Sequence, residues 1–349
     1  MSQFILRRIG LMILTALCLT FIVFFLTNLY PNLEKLTKMQ GNFRMSDEAV
    51  ASYLESNGYL EPVPIKYGEW LGIWPGFVGE PDEAGKVIGR CIAPGQSADA
   101  ADRFCGILQG NWGHSIVFKK PVLEIIKTRL ALTGWLMLAV MLVMVPGALV
   151  LGVLAGMREG TKLDRSLSTF SIITTATPEY VTGVIFIALF ATPTFGMNWF
   201  KGTATSAIDD ITWANFTLPV LTIALFGMGY MARLTRASMT EVMTAQYIRT
   251  ARLKGVSFHN IVLKHALRNA LITPFTVIML QIPWLLNGAV IVETMFNYKG
   301  FGWTLVKAAS NNDIELLLGI SVVSVFVVLL TQLISDVGYV YLNPRIQVS

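Results

Sequence analysis

The sequence predicts an all-α membrane protein with six transmembrane helices and one large soluble insertion. Hydrophobic residues make up 54% of the 349 residues and charged residues only 14%, whereas about a quarter of a typical soluble domain is charged. A helix needs about 20 apolar residues to cross a bilayer core of about 30 Å. Four uncharged runs are long enough, at residues 9–29, 130–157, 270–292 and 316–335.

Two further runs complete the six predicted spans. The run 216–232 is short and needs its flanks, and the run 167–193 is interrupted only by Glu179. The first span follows Arg7 and Arg8, as a signal peptide would. However, its apolar core is about twice the usual length, and no small-x-small cleavage site follows it. We therefore expect an uncleaved N-terminal helix.

The distribution of positive charge predicts the orientation of these spans. The N-terminal tail, the loop 158–165, the segment 233–268 and Arg345 together hold 13 Lys and Arg residues. The loops 194–215 and 293–313 hold only three. Because short cytoplasmic loops are enriched in Lys and Arg, both termini are predicted to be cytoplasmic, and residues 31–128 lie on the other side of the membrane.

The chain thus divides into residues 1–30 with the first span, the insertion 31–128, and a core 129–349 with five spans. The insertion holds 12 of the 22 acidic residues and two of the three cysteines. In an oxidising compartment Cys91 and Cys105 could form a disulfide, and the alternative is two free thiols. A bridge closing a loop of this size would contribute about 3 kcal/mol in the chain-entropy model.

A basic segment at about 239–269 separates two spans. Five Lys and Arg residues lie between Arg249 and Arg268, which is too many for a bilayer interior. Apolar residues such as Ile248 and Leu253 nevertheless need cover. This pattern predicts either a docking helix that fits a groove on a soluble partner or an interfacial helix that contacts anionic lipid.

Within the basic segment, the sequence also predicts a turn between two short helices. Gly255 has no Cβ, so it is suited to ending the first helix in a left-handed conformation. Ser257 is expected to cap the second helix with its hydroxyl group. The result would be a short helix turned across the base of the bundle.

Signals for catalysis or metal binding are weak. The histidines His114, His259 and His265 lack the spacing of a zinc pair. The stretch 79–87 does not match a phosphate-binding loop, since Val87 stands where Ser or Thr would hold magnesium. We predict a non-catalytic chain without a metal or cofactor of its own, so that any ATP and magnesium bind to another subunit.

Several motifs occur in one order along nearly the whole chain. The basic segment contains YIRTARLKG at 247–255 and KHALRNALITP at 264–274. The other motifs are FILRR at 4–8, GNWGHS at 110–115, TLP at 217–219, GAVIVETMF at 288–296, GFG at 300–302, ND at 312–313 and NPR at 343–345. With these motifs the chain resembles the dipeptide and oligopeptide ABC importer permeases, and its basic segment resembles their coupling loop.

The resemblance implies a type I ABC importer permease-like fold with a periplasmic insertion after helix 1, in the bacterial inner membrane. It implies a subunit for the uptake of peptides or peptide-like solutes. The expected partners are a second homologous permease, two ATP-binding subunits, a periplasmic solute-binding protein and membrane lipid, with no nucleic acid. The residues expected to couple to the ATPase are Tyr247, Arg249, Ala251, Arg252, Lys254, Gly255, Ile261 and His265.

The sequence departs from the family pattern at a few positions. Asn343 stands where the family usually has Asp, and Tyr30-Pro31-Asn32-Leu33 replaces a Pro-Gly-Asp-Pro-like turn. The family also handles nickel chelates, glutathione, opines, sugars and peptide antibiotics. The resemblance therefore leaves the substrate open.

Polar residues inside the predicted spans are candidates for the solute pathway. Glu179 follows Pro178 near the middle of its span, where an ionisable group is a functional candidate. It could attract a cationic solute or be a structural carboxyl group at a kink. Gln281 and Asn287 on the fifth span are weaker candidates, for which ordinary helix contacts are the alternative.

A second function remains possible for Glu179. In an ion-gradient-driven secondary transporter it would be the coupling carboxylate. The lack of an evident inverted repeat and the large basic segment count against this alternative. A membrane enzyme would need a catalytic constellation that the sequence does not contain.

Overall fold

The structure is a computed structural model that describes residues 2–40, 44–81, 87–92, 97, 100–193 and 197–342. Most of these residues are helical. The helices are α1 Ser2–Thr27, α2 Tyr30–Gln40, α3 Asp47–Ser56, α4 Val63–Leu71, α5 Val122–Gly156, α6 Lys162–Ala176, α7 Glu179–Phe190, α8 Trp213–Thr244, α9 Gln246–Leu253, α10 Phe258–Asn260, α11 Leu267–Ala270, α12 Ile272–Met295, α13 Phe301–Ser310 and α14 Ile314–Leu342.

Short elements supplement these helices. Single 3₁₀ turns lie at Ile107–Gln109 and Thr205–Ile208, and a π-helix covers Ile261–Ala266. Strand β1 (Val78–Pro81) pairs antiparallel with β2 (Val87–Gly89). The all-α prediction missed this small hairpin, which lies in the predicted insertion.

Four helices of the described chain are long and apolar enough to cross a membrane, namely Leu6–Thr27, Val122–Gly156, Trp213–Thr244 and Ile314–Gly338. Two bent helix pairs bring the number to six if each pair counts as one span. One pair is α6 with α7, and the other lies within α12, between Val277–Leu286 and Gly288–Met295. The mostly helical membrane class is confirmed, and six spans remain a prediction.

The run 167–193 differs from the continuous span that its hydropathy predicts. α6 ends at Ala176, α7 begins at Glu179, and the two helices are bent by 102°. Pro178 explains the break, because proline lacks an N–H donor and excludes the α conformation from the preceding residue. Thr177 is accordingly extended, with φ −86° and ψ 119°. The pair is either a broken span or a re-entrant loop.

The chain forms two compact units. Of the described residues, the N-terminal unit comprises those within Ser2–Thr128 and Leu305–Phe326, and the central unit comprises those within Arg129–Thr304 and those from 327 to 342. The predicted segments 1–30 and 31–128 thus belong to the same unit. The boundaries 1–30, 31–128 and 129–349 remain predictions as domain boundaries.

In the central unit, α5, α8 and α12 pack around an apolar core. Its buried members include Leu136, Val140, Met144, Ile223, Met231 and Leu285. Gly152 and Gly156 on α5 lie directly against α8, because a Cβ at Gly152 would be 2.6 Å from the carbonyl oxygen of Ala232. This pair of small residues therefore forms a helix-packing face, for which the small-xxx-small spacing is typical.

The N-terminal unit has its own core and a disulfide. The core contains Phe24, Leu33, Leu36, Val50, Leu54, Trp70, Ile314 and Leu318. Cys91 and Cys105 are joined, with their Cα atoms 5.5 Å apart, and Cys105 is buried. Cys18 is a free, exposed thiol. Formation of the bridge in the purified protein remains a prediction.

Candidate functional site

The basic segment is held to the central unit by its own apolar face. On α9, Ile248 and Ala251 pack in a cluster with Met239 and Met243 of α8 and with Ile261. Ala251 is 9% exposed and Ile261 only 1%. This chain therefore covers both residues itself, and they position the segment. Their predicted role in coupling to the ATPase stays a prediction.

Gly255 ends α9 in a Schellman motif. Its φ is +75°, its N–H donates to Arg252 O at 3.0 Å, and the N–H of Val256 donates to Ala251 O at 3.2 Å. Both bonds satisfy carbonyl groups that the helix end would leave free. Nothing lies within 4 Å of where a Cβ on Gly255 would stand. The glycine is therefore required by its backbone conformation and not by crowding.

The expected cap of the second helix is absent. Ser257 has the extended backbone of an N-cap residue, but its side chain makes no capping hydrogen bond. The chain continues through the single turn Phe258–Asn260 into the π-helix. A hydrogen bond instead joins the end of the segment to its α9 helix, because Asn269 Nδ2 donates to the Tyr247 hydroxyl at 2.9 Å.

The opposite side of the segment is exposed. Leu253 stands out, with 82% of its surface exposed, and Phe258 and Leu263 are also exposed. The polar residues on this side are Tyr247, Arg249, Arg252, Lys254, Lys264 and His265, all exposed like Gly255. We call this set with Leu253, Phe258 and Leu263 the docking face. Chemically, it offers several cations around a large apolar residue, which suits a groove that is apolar inside and acidic at its rim.

An ion pair that the sequence did not predict joins α8, the helix that leads into this segment, to α6. Arg236 donates from Nε to Asp164 Oδ1 at 2.5 Å and from Nη2 to Oδ2 at 2.8 Å. Asp164 also accepts from Gly160 N and Ser168 Oγ. A sequence signal existed, because Thr161 and Asp164 have the spacing of a capping box, and Thr161 does cap α6.

A second missed network surrounds Glu293, which is fully buried. Thr133 donates to Glu293 Oε1, and the backbone N–H of Trp303 donates to Oε2 at 2.9 Å. Phe301 N donates to Thr133 Oγ1 at 2.7 Å. The carboxyl group thus caps the first turn of α13, where backbone N–H groups favour an acceptor. In the sequence, Glu293 stood out only as part of the motif at 288–296, and no local pattern indicated its buried hydrogen bonds.

The pathway candidates are not brought together by contacts that the structure records. Glu179 is the first residue of α7, and its carboxylate lies close to Gly288, where a Cβ would be 3.2 Å from Oε1. Gln281 is buried in α12. The side chain of Asn287 falls outside the described part of the structure. Among the described residues, no group of three or more His, Cys, Asp or Glu side chains could hold a metal ion.

Comparison with known proteins identifies the family. The profile of the family described as "binding-protein-dependent transport system inner membrane component" matches residues 148–348, which is more than half of the chain and includes the docking face. This chain belongs to that family. The resemblance that its motifs indicate is thereby confirmed, and the chain is an inner-membrane transport component of the ABC permease type.

Relatives of the family align over most or all of the chain. A probable peptide ABC transporter permease protein, y4tP of Sinorhizobium fredii, is 30% identical over 99% of this chain and 100% of its own length. The oligopeptide transport system permease AppB of Bacillus subtilis is 29% identical with the same coverage. The glutathione transport system permease GsiC of Salmonella typhimurium is 32% identical over 69% of this chain and 76% of its own length.

Proposed function

We propose that this chain is the transmembrane permease subunit of an ATP-driven, binding-protein-dependent importer for peptides or peptide-like solutes. The observation that carries the proposal is the docking face, which is basic, exposed and anchored from behind by the chain's own buried residues. The relatives, two named as peptide permeases and one as a glutathione permease, support the substrate class. An ion-gradient carrier is less compatible with this family.

The segment that carries the docking face is joined to α8 by apolar packing and by a hydrogen bond. Ile248 packs against Met239 and Met243 in the apolar cluster, and Ser238 of α8 donates to Ala270 O at 2.8 Å. Movement of the docking face would therefore move α8, and through Asp164 and Arg236 also α6. We infer that ATP-driven closure of two nucleotide-binding subunits rocks these helices as rigid bodies between inward and outward access.

The proposal includes the composition and orientation of the transporter. One chain of six spans would supply half of the pathway, so a second homologous permease completes it. Two ATP-binding subunits would bind ATP and magnesium below the docking face, and a periplasmic solute-binding protein would deliver solute from the other side. Both termini would be cytoplasmic, and residues 31–128 periplasmic, as the charge distribution indicates.

The coupling proposal is tested by two substitutions at Gly255 in the reconstituted transporter. Gly255→Val places a β-branched residue at positive φ, where it is strained, whereas Gly255→Asn tolerates that conformation. We expect solute-stimulated ATP hydrolysis to fall strongly in the valine variant and to be largely kept in the asparagine variant. Equal stimulation in wild type and a correctly assembled valine variant would overturn the proposal.

The orientation is tested by cysteine labelling with a reagent that cannot cross the membrane. A cysteine introduced near Glu80 should react from the periplasm, and cysteines at Lys162 and Lys254 only from the cytoplasm. Cys91 and Cys105 should resist alkylation until they are reduced. Labelling of Lys254→Cys from the periplasmic side would refute the orientation, and free thiols at both native positions would refute the disulfide alone.

A further inference from the structure

A cavity of about 290 Å³ lies entirely within the N-terminal unit. It is lined by the end of α1, the turn after α3, α4, the residues after β2, residues 111–116 and the start of α14. This volume is just below the usual range for small-molecule sites, about 300–1,000 Å³. The cavity therefore has room for one small solute.

Opposite charges line one part of this cavity without a close contact. Arg90 Nη1 and Glu315 Oε1 are 3.8 Å apart, and both side chains are about two-thirds buried. This distance exceeds that of a hydrogen bond. Among the described residues, Arg90 Nε and Glu315 Oε2 have no hydrogen-bond partner. Both of these atoms are covered by the protein, so a ligand would contact the accessible parts of the two side chains. Buried charges are costly unless they are well paired, and a ligand that contacts both side chains would improve the pairing of this loose ion pair.

The neighbouring charged residues Lys66 and Asp313 already have other hydrogen-bond partners. Lys66 Nζ donates to Tyr59 O at 2.7 Å and to Asn28 Oδ1 at 3.3 Å. Asp313 accepts from Ser115 Oγ and from Val117 N. Arg90 and Glu315 are thus the pair that is left for a ligand.

Glu69 carries only part of a negative charge at neutral pH. Burial, followed by the nearby carboxyl group of Glu61, raises the pKa of Glu69 to about 7, and Arg90 opposes this shift. The cavity is therefore close to charge balance, with Arg90 as an available cation and Glu315 as an available anion. A simple anion or a simple cation would satisfy only one of the two.

The rest of the lining is mixed. Asn28, Asn57, Asn111 and His114 are polar, whereas Phe24, Leu36, Phe77, Ile116 and Leu318 are apolar. A solute whose charged groups contact Arg90 and Glu315 can therefore place an apolar part against this second group of side chains. Since the two protein charges are 3.8 Å apart, the ligand must carry its ammonium and carboxylate groups close together.

We propose that this cavity binds a free α-amino acid with an apolar side chain, its carboxylate on Arg90 and its ammonium group on Glu315. In an α-amino acid the two charged groups share one carbon atom. In a peptide they lie at opposite ends, so peptides fit less well. The site is separate from the docking face and does not depend on the proposed transport function.

The test is equilibrium binding of radiolabelled L-leucine to the purified full-length chain in lipid nanodiscs. We expect saturable binding at a single site. N-acetyl-leucine, leucinamide and the dipeptide leucyl-leucine should each bind at least about tenfold more weakly, because each lacks one charge or separates the two. Glycine should also bind about tenfold more weakly, because it lacks the apolar side chain.

Charge-neutralising variants complete the test. Arg90→Gln and Glu315→Gln should each weaken leucine binding at least about tenfold. Lys120→Gln and Glu124→Gln are matched controls in the same unit, because Lys120 and Glu124 form an exposed ion pair, and they should bind as wild type does. Thermal melting identifies any variant that fails to fold. The leucine analogues are measured on the wild-type chain, so that part of the test does not depend on a variant folding.

Three results would overturn the proposal. They are the absence of saturable leucine binding at millimolar concentration, equal binding of the blocked analogues, and equal losses in the control variants. A transporter that couples ATP hydrolysis normally but shows any of these results would refute only the amino-acid site. Normal leucine binding in a chain that does not couple would refute only the proposed function.

Discussion

Arg236 of α8 holds Asp164 of α6 through two parallel hydrogen bonds of 2.5 and 2.8 Å. Asp164 is almost fully buried, and charge-assisted bidentate bonds of this kind are stronger than neutral ones. The pair joins the start of the bent helix pair to the helix that leads into the docking face. It is therefore placed to transmit movement between them.

Asp164→Asn should weaken this joint. The asparagine cannot accept both bonds from Arg236 or keep its other acceptor contacts, so we expect a loss of about 1–3 kcal/mol in stability. The measurement is thermal melting of the purified chain, accompanied by solute-stimulated ATP hydrolysis, which should fall. Glu124→Gln, which breaks an exposed pair, should change stability by less than about 1 kcal/mol. Similar effects for the two variants would contradict a special role for Asp164.

Gly300 should not tolerate a side chain. A Cβ there would lie 2.3 Å from Glu293 Oε1 and 2.5 Å from Thr133 Oγ1, so Gly300→Ala would separate the buried carboxyl group from its donors. We expect a loss of about 1–3 kcal/mol in stability, measured by thermal melting. Gly134→Ala is the matched control, because nothing lies within 4 Å of a Cβ at that helical position. It should be neutral or stabilising by up to about 1 kcal/mol, and a stable Gly300→Ala protein would refute the described network.

Glu69 should make the stability of the N-terminal unit depend on pH. Burial raises its pKa from 4.5 to about 7, so the folded state binds more protons than the unfolded state between these values. Stability is therefore highest below pH 4.5 and falls as the pH rises towards 7, by at most about 3 kcal/mol.

Glu69→Gln should remove this dependence, because glutamine stays neutral. The measurement is the melting temperature of the full chain at pH 5 and pH 7.5, whose difference should shrink in the variant. Glu55→Gln changes an exposed acid in the same unit and should leave the difference unchanged. A difference that persists in Glu69→Gln would assign the pH dependence to another group.

Glu179→Gln tests whether this carboxylate contacts solute. Glutamine keeps the shape and removes the charge, so uptake of a solute with a nearby ammonium group should fall more than uptake of a neutral analogue. The ratio of the two uptake rates is the quantity to measure, since it does not depend on expression level. An unchanged ratio would indicate a structural role at the bend between α6 and α7.

Local sequence patterns predicted much of this architecture. Each of the four helices that are long and apolar enough to cross a membrane contains most or all of a run that hydropathy predicted, and Gly255 was expected in the left-handed conformation that it adopts. Pro178 indicated a disturbed helix, but the bend of 102° depends on packing that one position does not reveal. The amphipathic pattern predicted an apolar face on α9 without showing that the chain itself covers Ala251.

Long-range partners could not be predicted. Thr133 and Glu293 are 160 positions apart, and Asp164 and Arg236 are 72 apart, so no local pattern connects them. The cavity beside Arg90 likewise requires Glu315 from a distant helix. Each of these contacts depends on tertiary packing, which propensity and periodicity do not encode.

The most direct test of the central claim is site-specific photo-crosslinking in the assembled transporter. A photoreactive amino acid at Leu253, a residue of the docking face that is 82% exposed, should crosslink to an ATP-binding subunit. The same group at Trp74, an exposed residue of the N-terminal unit, should not. Crosslinking of position 253 only to lipid, in a complex that hydrolyses ATP in response to solute, would contradict the claim that this face contacts the ATPase.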